Sequence, residues 1–212
     1  IRRRGAKFIW SVDDDWKTVP DWNPAKPSDD GMALYDLAKH MADWIIVSTP
    51  HLASTFDDVK EKVLYAPNLI DLSQFPEAPF TPDGKGGRNW TFSVELPVRF
   101  VWSGGHTHRE DVIVMTDAID KMLRTYKNKV AFIYQGMSPP PQLLKSHLHR
   151  GLFHQPSVPF PSYQKILTST KPNVYLAPLA PVEFNRSKSN LRIMEGWALA
   201  SAPIASDFGE YT

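Results

Sequence analysis

Short apolar runs alternate with segments of helical character along most of this chain, and that alternation narrows the fold more than any other feature. Residues 7–12, Lys-Phe-Ile-Trp-Ser-Val, read as a strand, 31–42 as a helix and 44–48 as a strand. A helix then starts at Thr49-Pro50 and a short strand follows at 63–66. Thr49 suits a helix cap and Pro50 the first turn behind it. A second series predicts strand 99–103, helix 111–126, strand 130–134, a proline-rich turn at 138–141 and a short strand near 152–154. Helix 162–169, strand 174–177, helix 188–200 and strand 203–206 complete it. Strands separated by helices build parallel sheets with crossover connections. Between the two series the chain is rich in proline and glycine, including Asp83-Gly-Lys-Gly-Gly87, and periodicity disappears. The expected fold class is therefore α/β. Residues 1–75 fall in one domain, 76–97 form a connecting segment, and 98–212 make a nearly complete Rossmann-like domain.

Composition excludes several classes of function. In 212 residues, 24 Lys and Arg nearly balance 23 Asp and Glu, so no global field draws the chain onto nucleic acid or anionic lipid. The absence of cysteine rules out a disulfide framework, a thiolate metal site and a cysteine nucleophile, and fits a reducing, cytoplasmic setting. No apolar run is long enough for a transmembrane segment, and the opening Ile1-Arg-Arg-Arg-Gly-Ala-Lys lacks the apolar core of a signal peptide. Because it begins without methionine and directly before a strand of interior character, the sequence is expected to be a fragment of a longer protein.

Two turns offer chemistry. The strand ending at Ser103 runs into Gly104-Gly105-His106, and paired glycines at the carboxyl end of a strand let the backbone approach a ligand. The plainer reading is an ordinary strand-to-helix turn. A third glycine and a following acidic residue are missing, which disfavours a nicotinamide dinucleotide. The second turn precedes the last helix, where Lys188, Ser189 and Asn190 stand at the expected helix entrance. Unpaired N–H groups and the helix dipole favour an anion there. Helical spacing puts Lys188, Arg192 and Glu195 on roughly one face. Lys188 could neutralise a diphosphate while Glu195 accepts hydrogen bonds from sugar or ribose hydroxyls. The alternative is a solvated face of weak ion pairs. Gly196-Trp-Ala-Leu-Ala behind Glu195 suits burial, and a buried carboxylate needs donors.

The stretch Tyr175-Leu-Ala-Pro-Leu, then Phe184-Asn-Arg-Ser-Lys-Ser-Asn-Leu-Arg-Ile-Met-Glu-Gly-Trp-Ala-Leu-Ala-Ser-Ala-Pro-Ile-Ala-Ser206, resembles the donor-binding segment of GT-B glycosyltransferases, in particular the family 4 (group 1) enzymes. Asp43-Trp-Ile-Ile-Val-Ser-Thr-Pro and Pro67-Asn-Leu-Ile-Asp71 resemble the end of the acceptor-side domain of that family. The resemblance implies a GT-B fold of two Rossmann-like domains with parallel sheets, the N-terminal one incomplete here. It implies that residues 98–212 bind a nucleotide-sugar donor. Glu195 matches the family's ribose-binding glutamate, and the helix entrance at Lys188, Ser189 and Asn190 faces the diphosphate. Gly104 and Gly105 match the turn beside the donor phosphates, with Arg109 in place of the family's basic residue. Ser187 stands where many members carry a glutamate that contacts the sugar.

The activity so implied is that of a hexosyltransferase-like enzyme moving a sugar from a UDP- or GDP-linked donor to a glycan or other hydroxyl acceptor, with retention of configuration. No cofactor and no protein-held metal are implied. Asp13-Asp14-Asp15 offers a competing reading, since aspartates so spaced bind a divalent cation and diphosphate in the other glycosyltransferase architecture. Here the better phosphate loops lie far downstream, which favours a structural or acceptor-facing loop. The pairs His106 with His108 and His147 with His149 lack matching ligands, and Asn89-Trp-Thr91 reads as an accidental glycosylation acceptor. Two alternatives stay open: a nucleotide-binding module without transfer activity, and a GT-B epimerase or phosphorylase.

Overall fold

The computed structural model describes residues 5–75, 97–147 and 151–212. The segment expected to connect the domains, with its Gly-rich run and Asn89, lies almost entirely outside them, as does His149. The chain forms two compact units. The first comprises residues 1–69, 181–190 and 207–212, and the second 70–180 and 191–206. The units are thus not linear in sequence: residues 181–190 and 207–212 group with the first series.

In the first unit a parallel sheet of order β1-β2-β3 is built from β1 (Ile9–Val12), β2 (Trp44–Val47) and β3 (Val63–Tyr65). The crossover helix α1 (Asp29–Met41) starts where Ser28 Oγ accepts from the Gly31 N–H at 3.2 Å, and Asp29 and Asp30 favour the positive end of the helix dipole. α2 (Pro50–Ser54) is capped by Thr49, whose hydroxyl oxygen accepts from the Leu52 N–H at 3.1 Å. Ile45, Val47, Leu52 and Phe56 are buried with Tyr35 between sheet and helices. Each such side chain contributes about 1.5–3 kcal/mol on full burial. Lys39 is buried as well, and its ammonium is paired with Asp58.

The second unit carries a five-stranded parallel sheet of order β6-β5-β4-β7-β8: β4 (Val98–Gly104), β5 (Val130–Gly136), β6 (Leu152–Pro156), β7 (Val174–Ala177) and β8 (Ala202–Ala205). The chain winds outward from β4 through β5 to β6 and returns to lay β7 against the other side of β4. Ligands of open α/β sheets sit at such a reversal, outside the carboxyl ends of the strands. Trp102, Phe132 and Tyr134 point to one face and pack with Val112, Ile119, Leu123 and Leu143. Val101, Ile133 and Tyr175 point to the other and pack with Leu167 and Ala198. Strands buried on both faces explain why β4 and β5 read as continuous apolar runs.

Three helices differ from expectation. The helix expected over 111–126 is divided into α3 (Arg109–Ile113) and α4 (Thr116–Tyr126). β-Branched Val112-Ile-Val114 are weak helix formers at the break, and the Thr116 hydroxyl donates to the Val112 carbonyl at 3.1 Å. The turn expected at 138–141 instead opens a helix, α5 (Pro141–His147), since proline fits the first helical position. α6 (Phe160–Ser169) follows β6 as expected. The helix expected over 188–200 is shortened to α8 (Leu191–Ala198), and the polar loop before it contains a short helix, α7 (Glu183–Arg186). Residues 187–190 link them because their polar groups are engaged elsewhere: the Ser187 carbonyl accepts from the Thr49 hydroxyl at 3.3 Å, and Ser189 Oγ accepts from Asn68 Nδ2 at 2.9 Å. Lys188 therefore does not share a helical face with Arg192 and Glu195.

Candidate functional site

At the carboxyl ends of its strands the second unit holds an open pocket of about 250 Å³. Gly104 and Gly105 enter it from the end of β4, Gln135 and Gly136 from β5, and Ser157 and Val158 from the turn after β6. Phe160 and Tyr163 of α6 and Arg192 of α8 complete the lining. Glycine is required at 136, where φ is +109° and an added Cβ would lie 2.1 Å from the Gly104 carbonyl oxygen. That oxygen accepts from the Met137 N–H at 2.9 Å, which ties the two strand ends together.

Glu195 stands one hydrogen bond behind this lining. Tyr163 Oη donates to its two carboxylate oxygens at 3.2 and 3.3 Å, and Tyr175 Oη donates to Oε2 at 2.8 Å. Ser103 Oγ and Tyr163 Oη are 2.7 Å apart; with the tyrosine hydroxyl directed at the carboxylate, Ser103 is the donor. Burial first, and then the charge of Glu195, push the hydroxyls of Tyr163 and Tyr175 above the ordinary tyrosine range. Both stay protonated and keep donating. Gly196 lets the helix lie this close: a Cβ there would come 3.2 Å from Cβ of Tyr175 and 3.3 Å from Cβ of Pro203. The stretch after Glu195 is only partly buried, with Gly196 and Ala198 inside and Trp197 exposed. A carboxylate offers about four acceptor positions. Tyr163 and Tyr175 leave Glu195 capacity to accept from hydroxyls of a bound molecule.

The remaining expected residues are divided between the units. Arg109 opens α3 and is exposed; the cation lining the pocket is Arg192. In the first unit Lys188 Nζ is ion-paired to Asp14 Oδ1 at 2.6 Å and lies 4.3 Å from the centre of the Phe184 ring. Ser187 is fully buried, while Ser189 and Asn190 are half-buried. Of the three aspartates, Asp15 caps the 3₁₀ turn Trp16–Thr18 by accepting from the Lys17 N–H at 3.1 Å, and Asp14 holds Lys188. Among the described residues no group of three or more His, Asp or Glu is arranged to hold a metal ion. His108 Nδ1 instead bonds the buried Asp111 at 2.8 Å, whose other oxygen accepts from the Ala180 N–H.

Sequence reading missed Ser103, Tyr163, Tyr175 and Gln135. A signal existed for two of them: Ser103 and Gln135 are polar residues at the carboxyl ends of otherwise apolar strands, two positions beyond Val101 and Ile133. Strand periodicity places them on the same face as those core residues. The partnership of Tyr163 and Tyr175 with Glu195 left no trace in local sequence.

No helix among the described residues is long and apolar enough to cross a membrane. No family model matches the chain, and no curated protein sequence matches it. Solved structures do. HepE of Anabaena, solved with UDP and glucose, aligns over 99% of this chain and 55% of its own, with a TM-score of 0.64 at 13% identity. Sucrose-phosphate synthase of Thermosynechococcus elongatus aligns over 98% of this chain and 53% of its own, with a TM-score of 0.66 at 15% identity. A glycosyltransferase of Rickettsia africae aligns over 99% and 54%, with a TM-score of 0.58 at 13% identity. The chain spans about half the length of these structures. At such identities the likeness speaks for fold: the chain has the parallel-sheet, Rossmann-like α/β architecture of GT-B glycosyltransferases over the part that it spans.

Proposed function

We propose that this chain is part of a glycosyltransferase that moves a sugar from a nucleotide-sugar donor to a hydroxyl acceptor, with the nucleotide held by the second unit. The observation that carries the reading is the Glu195 carboxylate, fixed by Tyr163 and Tyr175 behind a glycine-lined pocket at the strand ends. Glu195 is assigned to the ribose hydroxyls and Gly104 and Gly105 to the diphosphate. Arg192 takes the place beside the phosphates first given to Arg109. Lys188, Ser189 and Asn190 belong to the first unit, and their assignment to the charge of a leaving diphosphate rests on the family 4 resemblance alone. The HepE complex with UDP-glucose favours a UDP-linked donor over a GDP-linked one. Retention of configuration belongs to the same proposal, by resemblance to family 4.

The test is calorimetric titration of the protein with UDP, GDP and ADP, repeated with Glu195→Gln. One nucleotide binds, and the variant weakens it about tenfold, the loss of one charge-assisted contact to a hydroxyl. Absence of binding by all three refutes the assignment. A second reading, nucleotide binding without transfer, draws support from Ser187, whose buried hydroxyl stands where many family members present a sugar-binding glutamate. Nucleotide binding combined with no release of UDP or GDP from any donor sugar, with or without acceptors, selects that reading.

A further inference from the structure

Gln135 is 1% exposed, and neither its amide oxygen nor its amide nitrogen has a hydrogen-bond partner. Leaving both ends of a buried amide unpaired is costly, and native proteins rarely tolerate it without a use for the group. Its place in the fold shows which way the amide serves. In the sheet Gln135 is paired in register with Ser103 on β4 and with Gln155 on β6. Residues in register on parallel strands project to the same face, so Gln135 lies on the face where Ser103 meets Tyr163. Ser103, Gln135 and Tyr163 all line the pocket. The Gln135 backbone is one strand spacing from that of Ser103, whose hydroxyl begins the chain Ser103, Tyr163, Glu195.

We propose that Gln135 is the residue that reads the edge of the nucleobase, its Oε1 accepting from a ring or exocyclic N–H and its Nε2 donating to the neighbouring carbonyl or ring nitrogen. This rests on the assignment of the nucleotide to this pocket and of Glu195 to its ribose. Three observations select a base edge. An amide presents one donor and one acceptor side by side, which matches the adjacent donor and acceptor of a base and gives a two-point contact. A phosphate would engage only the Nε2 donors and leave Oε1 unpaired, whereas a base edge serves both. The base is also the part of a nucleotide joined directly to the ribose, and Gln135 adjoins the Ser103 end of the network that terminates at Glu195. Val158 and Phe160, lining the same pocket, supply apolar surface for the faces of a ring.

The experiment measures dissociation constants of UDP, GDP, UDP-glucose and inorganic pyrophosphate for the wild-type protein, Gln135→Leu and Gln135→Glu, together with melting temperatures. Leucine removes the unpaired amide at similar volume. Its melting temperature is expected to hold or to rise by up to about 4 °C. The nucleotide that the wild type binds is expected to weaken about tenfold or more in both variants, with UDP and UDP-glucose affected equally and pyrophosphate unchanged. If the wild type binds a nucleotide and Gln135→Leu binds it as tightly, the inference fails while the assigned function stands. It fails likewise if pyrophosphate weakens in parallel, which marks general damage to the pocket. Loss confined to UDP-glucose assigns the amide to the sugar and overturns the base reading. A large fall in melting temperature means the amide was satisfied inside the protein. No nucleotide binding by the wild type removes the assigned function and this inference together.

Discussion

Tyr175→Phe separates the support of Glu195 from Glu195 itself. The substitution removes one hydroxyl from a side chain that is fully buried, and with it a 2.8 Å hydrogen bond to the carboxylate. A hydrogen bond to a charged group contributes about 1.5–3 kcal/mol. Glu195 is only half-buried and keeps the two longer contacts from Tyr163, so water can partly replace the loss and the lower end applies, about 1.5 kcal/mol. For a chain of this size a change of 1 kcal/mol lowers the melting temperature by about 2–4 °C, so a fall of roughly 3–6 °C is expected. Scanning calorimetry reads it. A double-mutant cycle with Glu195→Gln isolates the pair and should return a coupling of about 1–2 kcal/mol. Unchanged stability with zero coupling would show that the tyrosine does not hold the carboxylate, and the reasoning about a fixed acceptor behind the pocket would then be wrong.

Three further outcomes follow from the same geometry. Tyr163 and Tyr175 titrate above their unfolded value of about 10, so the native state holds protons that the unfolded chain releases. Their contribution to stability is complete below about pH 10 and is lost as pH rises toward the native values, at about 1.4 kcal/mol per pH unit for each. Urea melts at pH 8 and 10.5 should show a smaller alkaline loss in Tyr163→Phe than in wild type, and equal losses would contradict the burial argument. Gly136→Ala combines a positive φ with a clash against the Gly104 carbonyl and should cost about 3 kcal/mol or more, whereas Gly105→Ala, with open space at its Cβ and φ of −89°, should leave the melting temperature unchanged. Similar melting temperatures for the two would refute it. Asp14→Asn breaks a partly exposed pair and should cost about 1 kcal/mol or less. If Lys188 serves the diphosphate, pyrophosphate affinity rises once its present partner is neutral; a fall would remove Lys188 from that role.

What the sequence determined by itself is the succession of elements. Apolar runs such as Val130–Tyr134, bounded by polar or glycine-rich turns, specify strands whatever surrounds them, and their alternation with helices requires parallel sheets. A need for donors at Glu195 is legible from the small and apolar residues behind it, Gly196-Trp-Ala. Which donors was settled by packing: Tyr163 lies 32 residues before Glu195 and Tyr175 lies 20 before it, and only the laying of α6 and α8 over one face of the sheet brings their hydroxyls to it. Gln135 is equally a product of register, since its neighbours Ser103 and Gln155 come from other strands. Lys188 shows the limit most clearly. Helical periodicity put it on a face with Glu195. Tertiary hydrogen bonds from Thr49 and Asn68 hold its neighbours out of the helix, and Asp14, 174 residues earlier, takes its charge. Local periodicity decides an element where backbone and apolar pattern agree, and it yields where distant polar groups satisfy the same backbone and side chains better.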